Sequence, residues 1–225
     1  MSFSPLSITA AIALFLACLL TSCGTPFKYT PSHTATYAKA GNTRGAEILK
    51  GKDVRTGRNR KGVKWNKPVE NIVADALADE LRHSGIFARV EQSRNAAPSA
   101  DSGAYSHTIA FKVHRLRLYN AATAGEIAGG AALGLLGVPG ILIAGAIPTK
   151  WESSAEVEFE VTVAGSGQPV LAKTYTATRS ISLKGYAGMN QQIRQSSDAL
   201  EEVVKEFAGD LAGLCSAKPS GKGRR

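Results

Sequence analysis

The thirteen residues from Trp151 to Val163 constrain the fold most. Trp151, Ser153, Ala155, Val157, Phe159, Val161 and Val163 alternate with Glu152, Ser154, Glu156, Glu158, Glu160 and Thr162. Successive side chains of an extended strand point to opposite faces, so this run predicts a strand with one dry face and one row of glutamates. Any sheet that holds it must be covered on one side and wet on the other. Gly165-Ser166-Gly167 follows as a hairpin turn, and Pro169–Leu183 returns as the neighbouring strand.

The remaining elements fit around that sheet. In Tyr105–Leu118, Tyr105, His107, Ile109, Phe111 and Val113 face one way, and Ser106, Thr108, Ala110, Lys112 and His114 the other. The apolar set then changes phase to Leu116 and Leu118, which predicts a bulge near His114–Arg115. Ala46–Val54 and Ile86–Gln92 read as shorter strands. Between them, Val69, Ile72, Val73, Ala76, Leu77 and Leu81 form one helical stripe, with Glu70, Asp75, Asp79, Glu80 and Arg82 on the remainder. Asn66 is the expected N-cap, Pro68 suits a first turn, and Gly85 ends the helix. A final helix over Asn190–Leu214 carries Ile193, Leu200, Val203, Val204, Phe207, Leu211 and Leu214 on one side. The order β-α-β-β-insertion-β-β-α predicts an α+β domain. Its expected form is a mostly antiparallel sheet of about five strands with both amphipathic helices on one face.

The insertion, residues 124–149, is the unusual part. Ile127–Ile147 runs for 21 residues without a charge, long enough to cross a bilayer as one helix. A single crossing would put the flanking strands on opposite sides of the membrane. Gly137, Pro139 and Gly140 also interrupt the run, so a hairpin turning at Val138-Pro139-Gly140 is expected instead. Gly125 with Gly129, and Gly130 with Gly134, are spaced to let backbones approach closely in apolar surroundings. Ile127, Leu133, Leu135, Leu136, Val138, Ile141, Leu142, Ile143 and Ile147 would then contact a membrane, a partner or another copy. The other reading is a buried hairpin that covers the sheet.

The N-terminus speaks to location. Ile8–Leu20 is an apolar run too short to span a bilayer and of the length of a secretory core. It stops at Leu20-Thr21-Ser22-Cys23, which resembles the lipobox of bacterial lipoproteins. That resemblance implies removal of residues 1–22 and acylation of Cys23, and Gly24 after it implies the outer membrane. Residues 23–44 are rich in Thr, Ser, Pro and Gly and read as a lipidated tether. A flexible chain of about 20 residues spans roughly 25 Å. The expected body is residues 45–215, one periplasmic domain, and 216–225 is a basic tail.

The chain carries 27 Lys and Arg against 18 Asp and Glu, a formal charge of +9. The basic residues concentrate in Lys50–Lys67 and Lys218–Arg225, which lack the interleaved aromatics of a single-strand nucleic-acid binder. Outside the cytoplasm, anionic lipid or cell-wall groups are the expected contacts of such charge, and nucleic acid is not. With Cys18 in the signal and Cys23 acylated, Cys215 remains alone, so no intramolecular disulfide is expected. The thiol is either buried under the last helix or open to intermolecular pairing, and burial beside Leu211 and Leu214 is the expectation.

Catalytic patterns are missing. Gly165-Ser166-Gly167 lacks the spacing of a nucleophile elbow. His107 and His114 are seven apart, which aims them at opposite faces of a regular strand. No metal site or cofactor is expected, and Lys112, Arg115 and Arg117 are placed to neutralise Glu156, Glu158 and Glu160 across the sheet. Asp53-Val54-Arg55, the Gly85-Ile86-Phe87 helix end and the long strand after it resemble YajG-type outer-membrane lipoproteins over residues 46–118. The expected function is a non-enzymatic envelope lipoprotein, an accessory or scaffolding subunit that binds another envelope component or associates with itself. An oligomeric, membrane-inserting pore is the alternative, and a cell-wall or lipid hydrolase the third.

Overall fold

The computed structural model describes residues 29, 31–32, 37, 45–60, 65–98, 105–120, 148–184 and 188–216. Its elements are β1 (Gly45–Ile48), β2 (Lys52–Asp53), α1 (Val69–Ser84), β3 (Val90–Gln92), β4 (Tyr105–Asn120), β5 (Pro148–Val163), β6 (Pro169–Lys184) and α2 (Gly188–Ser216), with one 3-10 turn at Gly57–Arg60. Six strands make one sheet in the order β3-β1-β4-β5-β6, with β2 pairing β4 beyond β1. β4, β5 and β6 are antiparallel, and β1, β2 and β3 pair in parallel. The architecture is α+β, a mixed, mostly antiparallel sheet with two helices packed on it.

The long strands follow their alternation. Ile109, Phe111, Val113, Ala155, Val157, Phe159, Val161, Tyr175 and Ala177 are buried in one core with Leu77 and Leu81 of α1 and Leu200, Val204, Phe207 and Leu211 of α2. Phe159 stacks on Phe207 at 4.3 Å, and Tyr175 meets both rings edge-on. The β4–β5 register shifts between Val113 and Arg115, and beyond it Leu116 and Leu118 return to the dry side. The bulge therefore keeps both halves of one strand facing the same core. Gly165 and Gly167 take positive φ in the hairpin turn.

Several details depart from the sequence expectations. The Ala46–Val54 strand is two strands, because four residue steps from Ile48 to Lys52 run against three from Ile109 to Lys112 on β4. Gly51, in the gap, lies under the Phe111 ring, where a Cβ would come within 2.1 Å of the aromatic carbons. β3 begins only at Val90, since Ile86 and Phe87 turn straight from the Gly85 left-handed cap into the core. α1 is preceded by Pro68 with no side-chain cap, so Asn66 does not cap it. β5 starts at Pro148, two residues inside the stretch read as insertion. Leu214 is 44 % exposed, while Cys215, one helical turn after Leu211, is half-buried and packs on the core cluster.

Glu80 is the larger surprise. Assigned to the wet side of α1, it is 1 % exposed. It accepts a hydrogen bond from the Tyr37 hydroxyl at 2.5 Å. Nearby, Glu201 of α2 is buried, accepts from the Ser32 amide at 3.2 Å and from its hydroxyl, and pairs with Lys205. Tyr29 and Tyr37 pack on the core cluster. The described residues of the segment read as a tether thus lie against both helices. Burial first, then the negative charge of Glu201, Glu80 and Asp79, holds the Tyr29 phenol above its ordinary range.

Candidate partner-binding face

The site is built from the wet side of three long strands. On β5, Glu152, Ser154, Glu156, Glu158 and Glu160 stand on one face by strand period, Ser154 itself being buried opposite Arg117. β4 places Tyr119, Arg117, Arg115, Lys112 and Ala110 opposite them in that order, the bulge supplying the change of phase. β6 sets Ser180, Thr178, Thr176, Thr174 and Ala172 on the other flank, all exposed.

Several charges on this face are closed on one another, while Glu160 faces Ala110 and Ala172 instead of a basic residue. Lys112 Nζ lies 2.8 Å from Glu158 Oε1, and His114 Nε2 lies 3.1 Å from Oε2 of the same carboxylate. Arg115 pairs with Glu156 at 2.8 Å. The Tyr119 hydroxyl donates to Glu152, and the Arg117 guanidinium sits 4.5 Å above the Tyr119 ring. Lys112 first, and His114 second, hold the Glu158 carboxyl below its usual range. Glu152 in turn raises the Tyr119 phenol. The neutralisation expected across the sheet is present, at Lys112 and Arg115. Arg117 faces Ser154 instead and stacks on Tyr119.

One end of the face is concave. Glu47, Thr108 and Thr162 lie side by side on β1, β4 and β5. With Leu49, Tyr105, Ala110, Glu160 and the Ala164–Gly167 turn they line a cleft of about 660 Å³. Thr108 and Ala110 are small enough to leave this hollow where β4 elsewhere carries Lys and Arg. Glu47 is itself buried. Glu160 and the Gly165–Gly167 turn stand out in the sequence, but not as a group with Glu47, Thr108 and Thr162, for which the run of small side chains at the wet positions of β4 was the available signal.

His107 and His114 do lie on different sides. His107 packs against Phe87 at 5.2 Å, and burial lowers its pKa, while His114 joins Glu158. Among the described residues, no group of three or more His, Cys, Asp or Glu could hold a metal ion, and no helix is long and apolar enough to cross a membrane. Cys23, the glycines at 125, 129, 130 and 134, and the apolar set from Ile127 to Ile147 lie outside the described residues.

The fold and its face define a two-layer α+β module with a polar, ion-paired sheet surface. No family model and no curated protein matches the sequence. Among solved structures, the chain is similar to a Xanthomonas campestris protein of the DUF330 family, with 13 % identity, 85 % of this chain and 94 % of that chain covered, and a TM-score of 0.50. It is also similar to a Caulobacter crescentus protein described as a lipoprotein, at 14 % identity over 75 % of this chain and 92 % of that one, TM-score 0.39. A third is the PelC dodecamer of Paraburkholderia phytofirmans, at 15 % identity over 76 % and 91 %, TM-score 0.40. The first likeness is one of fold alone, and the other two are too loose to carry an argument about this chain.

Proposed function

We propose that this chain is a bacterial outer-membrane lipoprotein, acylated at Cys23, whose body binds another envelope component and catalyses no reaction. The supporting observation is the closure of charge on the open sheet face. General acid catalysis needs a carboxyl whose pKa is lifted toward the working pH. Glu158 is displaced the other way by Lys112 and His114, and Arg115 occupies Glu156. What remains is a broad surface of hydroxyls and partly neutralised charges, with threonines exposed along β6. Such a surface suits a protein partner, since paired charges and hydroxyls present hydrogen-bonding edges, and Glu160, without an ion pair among the described residues, leaves one acidic point at the cleft end. The uncharged Ile127–Ile147 stretch supplies a second contact, to membrane or partner.

Affinity capture of the lipidated protein from native membranes tests the reading. A Thr176→Arg, Thr178→Arg variant should lose the captured component while α2-surface variants retain it. Equal capture by both, or an envelope activity abolished by replacing one polar residue of the face, would overturn it.

A further inference from the structure

We infer that the N-terminal segment fixes the orientation of the body on the bilayer, with the α1–α2 layer toward the lipid and the open sheet face turned away. This rests on the acylation of Cys23 proposed above. The observation is a strap: Ser32 and Tyr37 are bound to Glu201 of α2 and Glu80 of α1, one on each helix, and Tyr29 packs on the same core cluster. Tyr29 also borders a hollow lined by Asp75, Asp79 and Arg82 of α1. The described residues of the strap therefore lie on the helix side of the molecule. None of its described contacts is with the open face of β4–β6.

Chain length then decides the geometry. Only six residue steps separate Cys23 from Tyr29, a reach of at most about 20 Å when fully extended. Were these contacts released, the next described attachment would be β1 at Gly45, and the body could turn about its anchor. The docked contacts are not ones that water readily replaces. Glu80 and Glu201 are both buried, and a buried carboxylate stripped of its hydrogen-bond donors is costly. The helix layer is also about 10 Å thick, and the sheet lies roughly another 10 Å beyond it. A short leash attached on the helix side thus holds the threonine- and glutamate-bearing face at the far side from the lipid, open to a partner in the periplasm.

The test uses the full lipidated protein in vesicles that contain a headgroup-linked acceptor fluorophore. Single donor labels are placed at Gly209→Cys on the exposed side of α2, where an added Cβ meets nothing within 4 Å, and at Thr176→Cys on the open face, each with Cys215→Ser. Transfer should be severalfold stronger from position 209 than from 176. Two changes should erase that difference. One is release of the strap by Tyr29→Ala, Ser32→Ala and Tyr37→Ala. The other is a flexible Gly/Ser insertion of about ten residues between Cys23 and Tyr29, which leaves every strap contact in place. Equal transfer from both labels in the unaltered chain, or a difference that survives the insertion, would overturn the orientation. Mass spectrometry of the same preparation separates the two failures. A Cys23 without fatty acid removes the anchor and this proposal with it, whereas an acylated Cys23 with equal transfer removes the orientation alone.

Discussion

Phe159 of β5 and Phe207 of α2 lie with ring centroids 4.3 Å apart and planes tilted by 25°, both without solvent exposure. This stack joins the central long strand to the C-terminal helix, and Tyr175 closes on both rings from β6. Phe207→Ala removes a ring with no means of filling its space. The expected loss is about 3–5 kcal/mol, as for other buried Phe truncations. Phe207→Leu keeps most of the volume and should cost less than half as much. Urea unfolding followed by far-ultraviolet circular dichroism reads both, and an alanine variant with an unchanged midpoint would show that α2 does not anchor the core.

Gly51 gives a prediction of opposite kind, one of crowding. Its backbone passes under Phe111, and a Cβ there would sit 2.1 Å from Cε2. Phe111 is buried between β1–β2 and the sheet's core, so its ring has little room to move. Gly51→Ala should destabilise by about 1–3 kcal/mol through overpacking. Phe111→Leu in the same chain should relieve part of that, which makes the pair non-additive. Full additivity in a double-mutant cycle would show that the contact is not what makes position 51 glycine.

Much of this layout was legible in the residues, for identifiable reasons. The Trp151–Val163 alternation and the phase change after Val113 each report side-chain direction, and the dry face, the glutamate row and the bulge follow from direction alone. The Val69–Leu81 stripe works in the same way for α1. Pairing partners are not encoded locally. The parallel placement of β1 between β3 and β4, and the break at Gly51, depend on contacts far along the chain. The strap was illegible for the same reason, since nothing in Ser32 or Tyr37 announces Glu201 or Glu80. Glu80 sits three residues after Leu77 and one before Leu81, at the border of the apolar stripe. There the period alone gives either side, and a tyrosine distant in sequence decides it.

Glu158 predicts an acid limb in the stability of the sheet face. Lys112 and His114 hold its carboxyl below the ordinary glutamate range in the folded chain. A group whose folded pKa is depressed stabilises above its unfolded pKa, and that contribution fades as pH falls through the folded one. Stability should therefore decline from the ordinary glutamate range downward, and Glu158→Gln should flatten part of that decline. Both partners are substantially solvated, so the effect is small beside that of Phe207. Carboxyl titration by NMR checks it directly. Lys112→Ala should raise the Glu158 midpoint, and an unmoved midpoint would show that the 2.8 Å contact is not formed in solution.

Tyr175 predicts the alkaline limb. Its ring is 1 % exposed, and its hydroxyl donates to Asp210 Oδ2 at 2.8 Å, where Lys173 also binds. Burial first, then the bond to Asp210, holds the phenol above its ordinary value of 10.0. Burial and the Glu80 bond do the same to Tyr37. For a group with a raised folded pKa, the folded chain keeps its proton after the unfolded chain has lost it. Stability is then fully present below pH 10 and falls as pH rises beyond it. Tyr175→Phe should cost about 1 kcal/mol at neutral pH, from the lost hydrogen bond to a partly solvated carboxylate. The same variant should lose less than the parent chain above pH 10, because one of its reluctant phenols is gone. Tyr37→Phe should flatten the limb likewise and also loosen the strap, raising proteolytic cleavage ahead of Gly45, which Tyr175→Phe should leave unchanged. If both substitutions leave the alkaline slope as it was, neither hydroxyl is held as the fold places it.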